Sequence, residues 1–311
     1  MKGPATYAPV AVVDVGSHAL LGLVAARGDG GRPIAVAEWA RFGRLGEGLG
    51  ADGALTRESL ARNAELLDEF ATFARHHGAL RVDAVGTSAL RRASNAGALV
   101  ARAASSGVTL TVIDGGTEAA LTFAGAMGPF EHDGAPYCVV DVGGGSTELA
   151  VGAGTVLARS ASLEVGSVRL QRAYFSQDRA TPAEMMDATR AIDDALDDAG
   201  LTLPARLVAL AGTAWSVAAL IHDLDDATPD AVHGRTVPRG ALDALVARLA
   251  GTTAEERRSM PGVPAERAPY MTAGALVLAR VAARAAAPSI AIARGGVRFG
   301  LAARALDHQG A

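Results

Sequence analysis

At 311 residues the chain is about twice the size of a usual single domain, so two domains of roughly 150 residues are expected. Half of it is apolar, 20% charged and 4% aromatic, with 69 alanines and 37 glycines, which excludes a fibrous, disordered or disulfide-stapled chain and favours helices packed through small side chains. One cysteine permits no internal disulfide, and a net charge of -4 gives no global attraction to nucleic acid or an anionic membrane. Any polyanion must therefore be met by a local concentration of arginines and backbone N–H groups. No apolar run approaches 18 residues without a charge or a glycine, and the amino terminus lacks a signal-peptide pattern, so a cytoplasmic protein is expected.

Val10–Val15 is an apolar run broken only by Asp14, and it leads into Gly16 and Ser17 before a second run, Leu20–Ala26. This order predicts a strand, a turn and a strand, whereas a dinucleotide-binding unit would continue into a glycine-opened helix. Arg41 and Arg44 follow among glycines. Thr56 then caps a predicted helix reaching about His77, with Leu60, Ala64, Leu67, Ala71 and Ala74 on its buried stripe. Arg81–Val85 reads as a strand, Gly86-Thr-Ser-Ala-Leu-Arg91 as a turn opening a helix, Val108–Ile113 as a strand and Asp114-Gly-Gly-Thr-Glu118 as a turn. Such alternation is the pattern of an α/β lobe.

Ala126–Pro136 combines glycine, proline and charge, which places a boundary there and divides the chain into lobes 1–127 and 128–311. Beyond it Tyr137-Cys-Val-Val-Asp-Val-Gly-Gly-Gly-Ser-Thr-Glu148 repeats the opening signal, with Asp14 and Asp141 lying 127 positions apart. Leu149–Val156 resumes as strand, so the hairpin order repeats with the turn. Thr181-Pro-Ala-Glu184 is a capping box opening a helix. Leu207–Ala211 is a strand running into Gly212, Thr213 and a helix around Trp215–Ile221; Thr228–Pro238 is a loop and Arg239–Leu249 a helix. A last helix, about Thr272–Ala287, precedes Ile290–Ala293 and the Gly295-Gly296 pair, and the final helix of this lobe is able to pack back on the first lobe.

Two glycine turns, each carrying a carboxylate at the end of an apolar strand, suit a phosphate and metal site. Backbone N–H groups of Gly16 and of Gly143, Gly144 and Gly145 can converge on phosphate oxygens, while Asp14 or Asp141 holds hydrated Mg2+. Ser17, His18, Ser146 and Thr147 add donors. Glu118 and Glu148 are candidates for orienting water, deprotonating it or positioning the metal, a choice that geometry must make. The planar fork of Arg91 suits a phosphate, and Arg41, Arg44 and Arg267 extend a cationic path on which Asn95 either braces a loop or donates to substrate. Gly212 and Thr213 either approach a phosphate or only turn the chain. The histidines are too scattered for a zinc cluster, Cys138 lies in an apolar strand, and neither a Walker A sequence nor a nucleophile elbow is present.

In this order Asp14-Val-Gly-Ser17, Gly86-Thr-Ser-Ala-Leu-Arg91 with Asn95, Glu118, Asp141–Glu148, Glu164-Val-Gly166 and Gly212-Thr213 resemble the exopolyphosphatase and guanosine pentaphosphate phosphatase family. The resemblance spans about Val10–Ala303 and implies duplicated ribonuclease-H-like lobes of the actin, heat-shock-protein and sugar-kinase superfamily, in a short two-lobed form. It implies Mg2+-dependent hydrolysis of the terminal phosphoanhydride of polyphosphate or guanosine pentaphosphate in a cleft between the lobes. Glu118 would be the general base, Asp141 and Glu148 the magnesium and water-positioning carboxylates, and Arg91 a phosphate clamp. A symmetric homodimer without nucleic-acid or membrane partners is the family expectation. His18 and Ala19 stand where asparagine and serine are common, Ala120 where arginine is, and Phe299 where an acidic residue is frequent; an aspartate usual near Arg267 is also replaced. A weakly active or inactive polyphosphate- or guanosine tetraphosphate-binding regulator is the alternative that His18, Ala19 and Ala120 leave open, and an ATP-dependent kinase is a second one that the broad fold allows.

Overall fold

The computed structural model describes residues 8–28, 31–50, 52–130, 133–176 and 179–309. Its contacts divide the chain into two compact units, Met1–Pro129 with Val297–Ala311, and Phe130–Gly296. A single cut at 127/128 is thus moved by two residues, and the C-terminal segment belongs with the first unit.

Unit 1 runs β1 (Val10–Val15), β2 (Leu20–Arg27), β3 (Pro33–Arg41), α1 (Arg57–His76), β4 (Val82–Gly86), α2 (Ser88–Arg92), α3 (Ala96–Ser105), β5 (Val108–Val112) and α4 (Gly115–Met127). The sheet order is β3-β2-β1-β4-β5, antiparallel through the first three strands and parallel from β1 to β4 to β5. Thr56 accepts a hydrogen bond from the Ser59 N–H and caps α1, whose Ala64, Leu67, Phe70, Ala71 and Ala74 are buried on one face of the sheet with Leu99 of α3. The other face carries Val10, Val12, Leu23 and Val85 beneath Leu121 of α4.

Unit 2 repeats the pattern with β6 (Pro136–Val142), β7 (Thr147–Ala153), β8 (Val156–Leu163), α5 (Ser167–Tyr174), α6 (Pro182–Asp198), β9 (Leu207–Leu210), α7 (Ala211–Ile221), α8 (Pro229–Val232), β10 (Thr236–Pro238), α9 (Arg239–Ala250), α10 (Ala254–Arg258), α11 (Met271–Arg284) and β11 (Ser289–Ile292). Its order is β10-β11-β9-β6-β7-β8, again an antiparallel meander followed by parallel strands, with β10 added at the edge. Both sheets therefore have the ribonuclease-H-like order, and the duplication extends from sequence to topology. Helix α11 is apolar almost all round because it is the central helix of this core, with eleven buried residues. The capping box at Thr181 and Glu184 forms as the sequence predicts.

Among the elements the sequence does not predict, three concern the sheet edges and the end of the chain. β3 and β8 are outer strands whose outward residues mix alanine, arginine and valine, so their alternation is weak. The helix expected at Thr272–Ala287 to pack back on the first lobe is α11, in the unit 2 core; the third of these elements, α12 (Val297–Gln309), makes that return instead, and its Phe299, Leu301, Ala302 and Leu306 join the core around Val12. The segment Asp114–Glu118 is the start of α4 rather than a free turn, because the Asp114 carboxylate accepts from the Thr117 N–H at 2.7 Å and caps the helix. The Thr228–Pro238 stretch likewise contains α8 and β10.

Helix α12 approaches α4 backbone to side: a Cβ built on Gly300 would stand 2.0 Å from the Leu121 carbonyl oxygen. Gly300→Ala is accordingly expected to destabilise unit 1 by about 1–3 kcal/mol through overpacking, although alanine is the better helix former. Urea unfolding followed by circular dichroism checks this; an unchanged or raised midpoint would mean that α12 does not press on α4.

Candidate active site

The two glycine turns close in the same way. Gly16 N–H donates to Ala19 C=O at 3.0 Å, and Gly143 N–H donates to Ser146 C=O at 3.0 Å. Asp14 and Asp141 each precede the turn by two residues, and each is flanked by an antiparallel and a parallel neighbour, Leu21 and Val85 for the first, Glu148 and Leu210 for the second. In both units this puts the carboxylate at the carboxyl end of the central strand, the end at which open α/β sheets expose their loops.

In unit 2 the carbonyls of the turn are spent on α5. Gly143 C=O accepts from the N–H and hydroxyl of Ser167, Gly144 C=O from the N–H groups of Val168 and Arg169, and Gly145 C=O from the Arg169 guanidinium at 2.8 Å. The N–H groups of Gly144 and Gly145 bond to no carbonyl among the described residues, and both glycines are exposed. Two free donors on one turn suit an anion, as in a backbone nest. The docking depends on Gly166, since a Cβ there would lie 2.5 Å from backbone atoms of Gly144 and Gly145. The Glu164-Val-Gly166 motif thus acquires a structural reason.

Asp141 and Glu148 are direct cross-strand partners, so their side chains share one face at the end of the hairpin. Glu148 Oε1 accepts from Ser146 Oγ at 2.6 Å and Ser162 Oγ at 3.0 Å. Ser162 lies on β8 and escaped the sequence reading with that strand. The described residues contain no group of three or more metal-type side chains, and the pair that could share a metal in this unit is Asp141 and Glu148. Two carboxylates completed by water and phosphate oxygens suit Mg2+.

Arg267 and Gly212, read separately in the sequence, are one feature. A Cβ on Gly212 would fall inside the Arg267 guanidinium, which lies against the first turn of α7. Partial desolvation pulls that guanidinium down from its ordinary value, while Glu266 and Asp141 act to raise it. The chain enters α7 through Ala211 at φ 64°, a conformation that a residue with a side chain rarely adopts. Buried Arg257 donates to Ala268 C=O at 2.7 Å and to Leu249 and Thr252 carbonyls, holding the segment that carries Arg267.

In unit 1, Glu118 sits in the first turn of α4, and Arg91 Nη1 bonds its Oε2 at 2.6 Å and Ile113 C=O at 3.0 Å. Both side chains are about 30% exposed, at 31% for Arg91 and 30% for Glu118. Asp14 lies within electrostatic reach of Glu118 and has a buried Oδ1 that lacks a hydrogen-bond partner. Burial, then repulsion from Glu118, pushes its carboxyl up to about 7 against the opposing pull of Arg298. An orphaned, buried carboxylate oxygen of this kind fits a cation as well as a proton. Arg298 comes from α12 and bonds Glu38 Oε2 at 2.5 Å, and it was invisible to the sequence reading because α12 was.

Several residues have other work. Thr147 is fully buried and donates to Val165 C=O at 2.5 Å, and buried Thr213 donates to Val142 C=O at 3.0 Å, so neither hydroxyl is presented to a ligand. Asn95 spans the Leu55 backbone, accepting from its N–H and donating to its C=O at 2.9 Å each, which makes it a loop brace. Arg41 lies over the Trp39 ring and pairs with Glu69 of α1 at 2.7 Å. Arg44 stays exposed, and its N–H donates to His18 C=O at 2.9 Å, beside the first turn with Ser17 and His18.

The model of the Ppx/GppA phosphatase family matches residues 23–309. Exopolyphosphatase 2 of Mycobacterium tuberculosis is 35% identical over 286 residues, covering 88% of this chain and 89% of that protein. A guanosine-5'-triphosphate,3'-diphosphate pyrophosphatase of Vibrio cholerae is 33% identical over 188 residues, 60% of this chain and 37% of that protein. The crystal structure of the Aquifex aeolicus member of the Ppx/GppA family is similar with a TM-score of 0.89 at 26% identity, covering 98% of this chain and 99% of that one.

Two expectations follow from the geometry. A Cβ on Gly145 meets nothing within 4 Å, so Gly145→Ala is expected to leave stability within about 0.5 kcal/mol while weakening phosphate binding; Gly166→Ala should cost about 1–3 kcal/mol. Thermal unfolding of both variants, with phosphate titrated into the first, separates nest from support. For Asp14, whose ordinary value is 3.8 and whose folded value is about 7, the protonated form favours the fold. Its contribution is complete below about 4 and is lost as pH rises through 7. Metal-free protein should therefore lose melting temperature between about pH 4 and 7 and level off above it, and Asp14→Asn should flatten that slope; an equal slope in the variant would assign the effect elsewhere.

Proposed function

Because the chain belongs to the Ppx/GppA phosphatase family and is a phosphoanhydride hydrolase, we propose that it releases orthophosphate from the chain ends of inorganic polyphosphate and from guanosine pentaphosphate, with Mg2+. The observation that carries this reading is Glu118, a carboxylate held at 2.6 Å by Arg91 in the first turn of α4 and close enough to buried Asp14 to repel it.

Water attacks the terminal phosphorus, a P–O bond to its oxygen forms, and the bridging P–O bond breaks with its electron pair going to the departing chain. Glu118 takes the proton that the water must lose. Arg91 orients that carboxylate through Nη1, and its other donors, which have no protein partner among the described residues, are suited to a phosphate oxygen. Within unit 2, the backbone N–H groups of Gly144 and Gly145 are suited to phosphate oxygens and need no reorganisation, because their carbonyls are already committed to α5. Asp141 and Glu148 would hold Mg2+, and Glu148 is fixed by two serine hydroxyls. When bound, Mg2+ supplies neutralisation of charge developing on the phosphate oxygens.

Phosphate release from polyphosphate and guanosine pentaphosphate, measured across a Mg2+ titration, tests the reading. Glu118→Gln should lower kcat by about a hundred- to ten-thousandfold with little change in KM. Asp141→Asn should move half-maximal activity to higher Mg2+. Release that survives Glu118→Gln unchanged would remove Glu118 as the base, and release indifferent to Mg2+ chelation would remove the metal.

A further inference from the structure

We infer that His18 and Phe42 form a ledge for the base of a nucleoside polyphosphate beside the first glycine turn, an inference that rests on the hydrolase reading above. Phe42 is 66% exposed, and among the exposed large apolar side chains of the described residues it is the one aromatic. Scattered surface apolar residues need no explanation, but this ring is not scattered. Its centroid lies 5.1 Å from the imidazole of His18, edge to face at 61°. His18 is itself exposed, and no protein group among the described residues hydrogen-bonds its ring nitrogens, which leaves a donor and an acceptor for a base edge or a ribose hydroxyl.

The ledge is built rigidly. Arg44 N–H donates to His18 C=O at 2.9 Å and Gly46 N–H to Ser17 C=O at 2.8 Å, fastening the segment after β3 onto the turn after β1. Arg62 and Asn63 of α1 both donate to Gly43 C=O, at 2.9 and 3.0 Å, and fix the segment from below. Arg44 is held at φ 51° in this arrangement, a backbone conformation uncommon for a long side chain, and its exposed guanidinium lies 3.9 Å from the Glu47 carboxylate. A preorganised aromatic surface next to a cation and a glycine turn matches a ligand with a π-face at one end and phosphates at the other. An inorganic phosphate chain has no π-face and no apolar surface, so the ring offers it nothing. The residue that departs from the family pattern at position 18 thereby becomes a selector of nucleoside-bearing substrate.

The test compares guanosine pentaphosphate with inorganic tripolyphosphate as probes, by phosphate release and by calorimetric binding to protein carrying Glu118→Gln. Phe42→Ala should lower the ratio of kcat/KM for guanosine pentaphosphate over tripolyphosphate about tenfold, through KM, and weaken calorimetric binding of the nucleotide by the same factor. Phe42→Tyr should restore both, and His18→Ala should shift them in the direction of Phe42→Ala. An unchanged ratio in Phe42→Ala, or an equal loss for both probes, overturns the ledge. Failure of the hydrolase reading looks different: wild-type protein would release phosphate from neither probe, while calorimetry would still decide whether Phe42 holds the base.

Discussion

The carbonyls of Gly143, Gly144 and Gly145 all bond to the start of α5, and the function of the turn after Asp141 depends on that allocation. A peptide group has one donor and one acceptor, so committing the acceptors to the protein leaves donors for a ligand. The close approach is sterically conditional on Gly166. It also places Ser146 where its hydroxyl fixes Glu148 opposite Asp141. Free backbone donors and a paired set of carboxylates are therefore products of one backbone arrangement, held in place by the central core beneath α11.

The same hairpin is built in unit 1 and used differently. Asp14 occupies the position of Asp141, but its antiparallel partner is Leu21 rather than a carboxylate. It has instead a buried, unpartnered oxygen, a like charge in Glu118 and an opposing one in Arg298. Duplication of the fold has thus yielded a carboxylate pair in one unit, and in the other a buried acid beside a second carboxylate braced by arginine. That division is consistent with a phosphoanhydride hydrolase, whose chemistry needs charge neutralisation and water activation more than a covalent nucleophile.

The arginines show where reading by residue type runs out. Arg41, Arg44, Arg91 and Arg267 were equivalent as members of a cationic path, yet each ends in a different situation: stacked on Trp39, standing by the first turn, bracing Glu118, or lying on Gly212. The threonines after the glycines divide from the serines for a related reason. Thr147 and Thr213 point into the core and satisfy carbonyls there, because alternation along a strand and the inner side of a helix bury them. Nothing in composition distinguishes Asn95 as a loop brace from Asn95 as a ligand. The two Leu55 hydrogen bonds decide it.

Length and composition pointed to two α/β lobes, and the repeated Asp-Val-Gly turns at a 127-residue interval placed matching carboxylates at the ends of two central strands. Those features are local, carried by hydrophobic periodicity and by glycine where a hairpin must close, and so they survive in the linear chain. Three matters were decided by tertiary structure alone: the return of α12 to unit 1 with Arg298, the pairing of Arg91 with Glu118, and the seating of Phe42 against His18. Each joins residues well separated in sequence, through contacts whose partners carry no sequence period. The net charge of -4 set no limit on phosphate recognition, since backbone N–H groups and a few placed arginines act over distances far shorter than the chain as a whole.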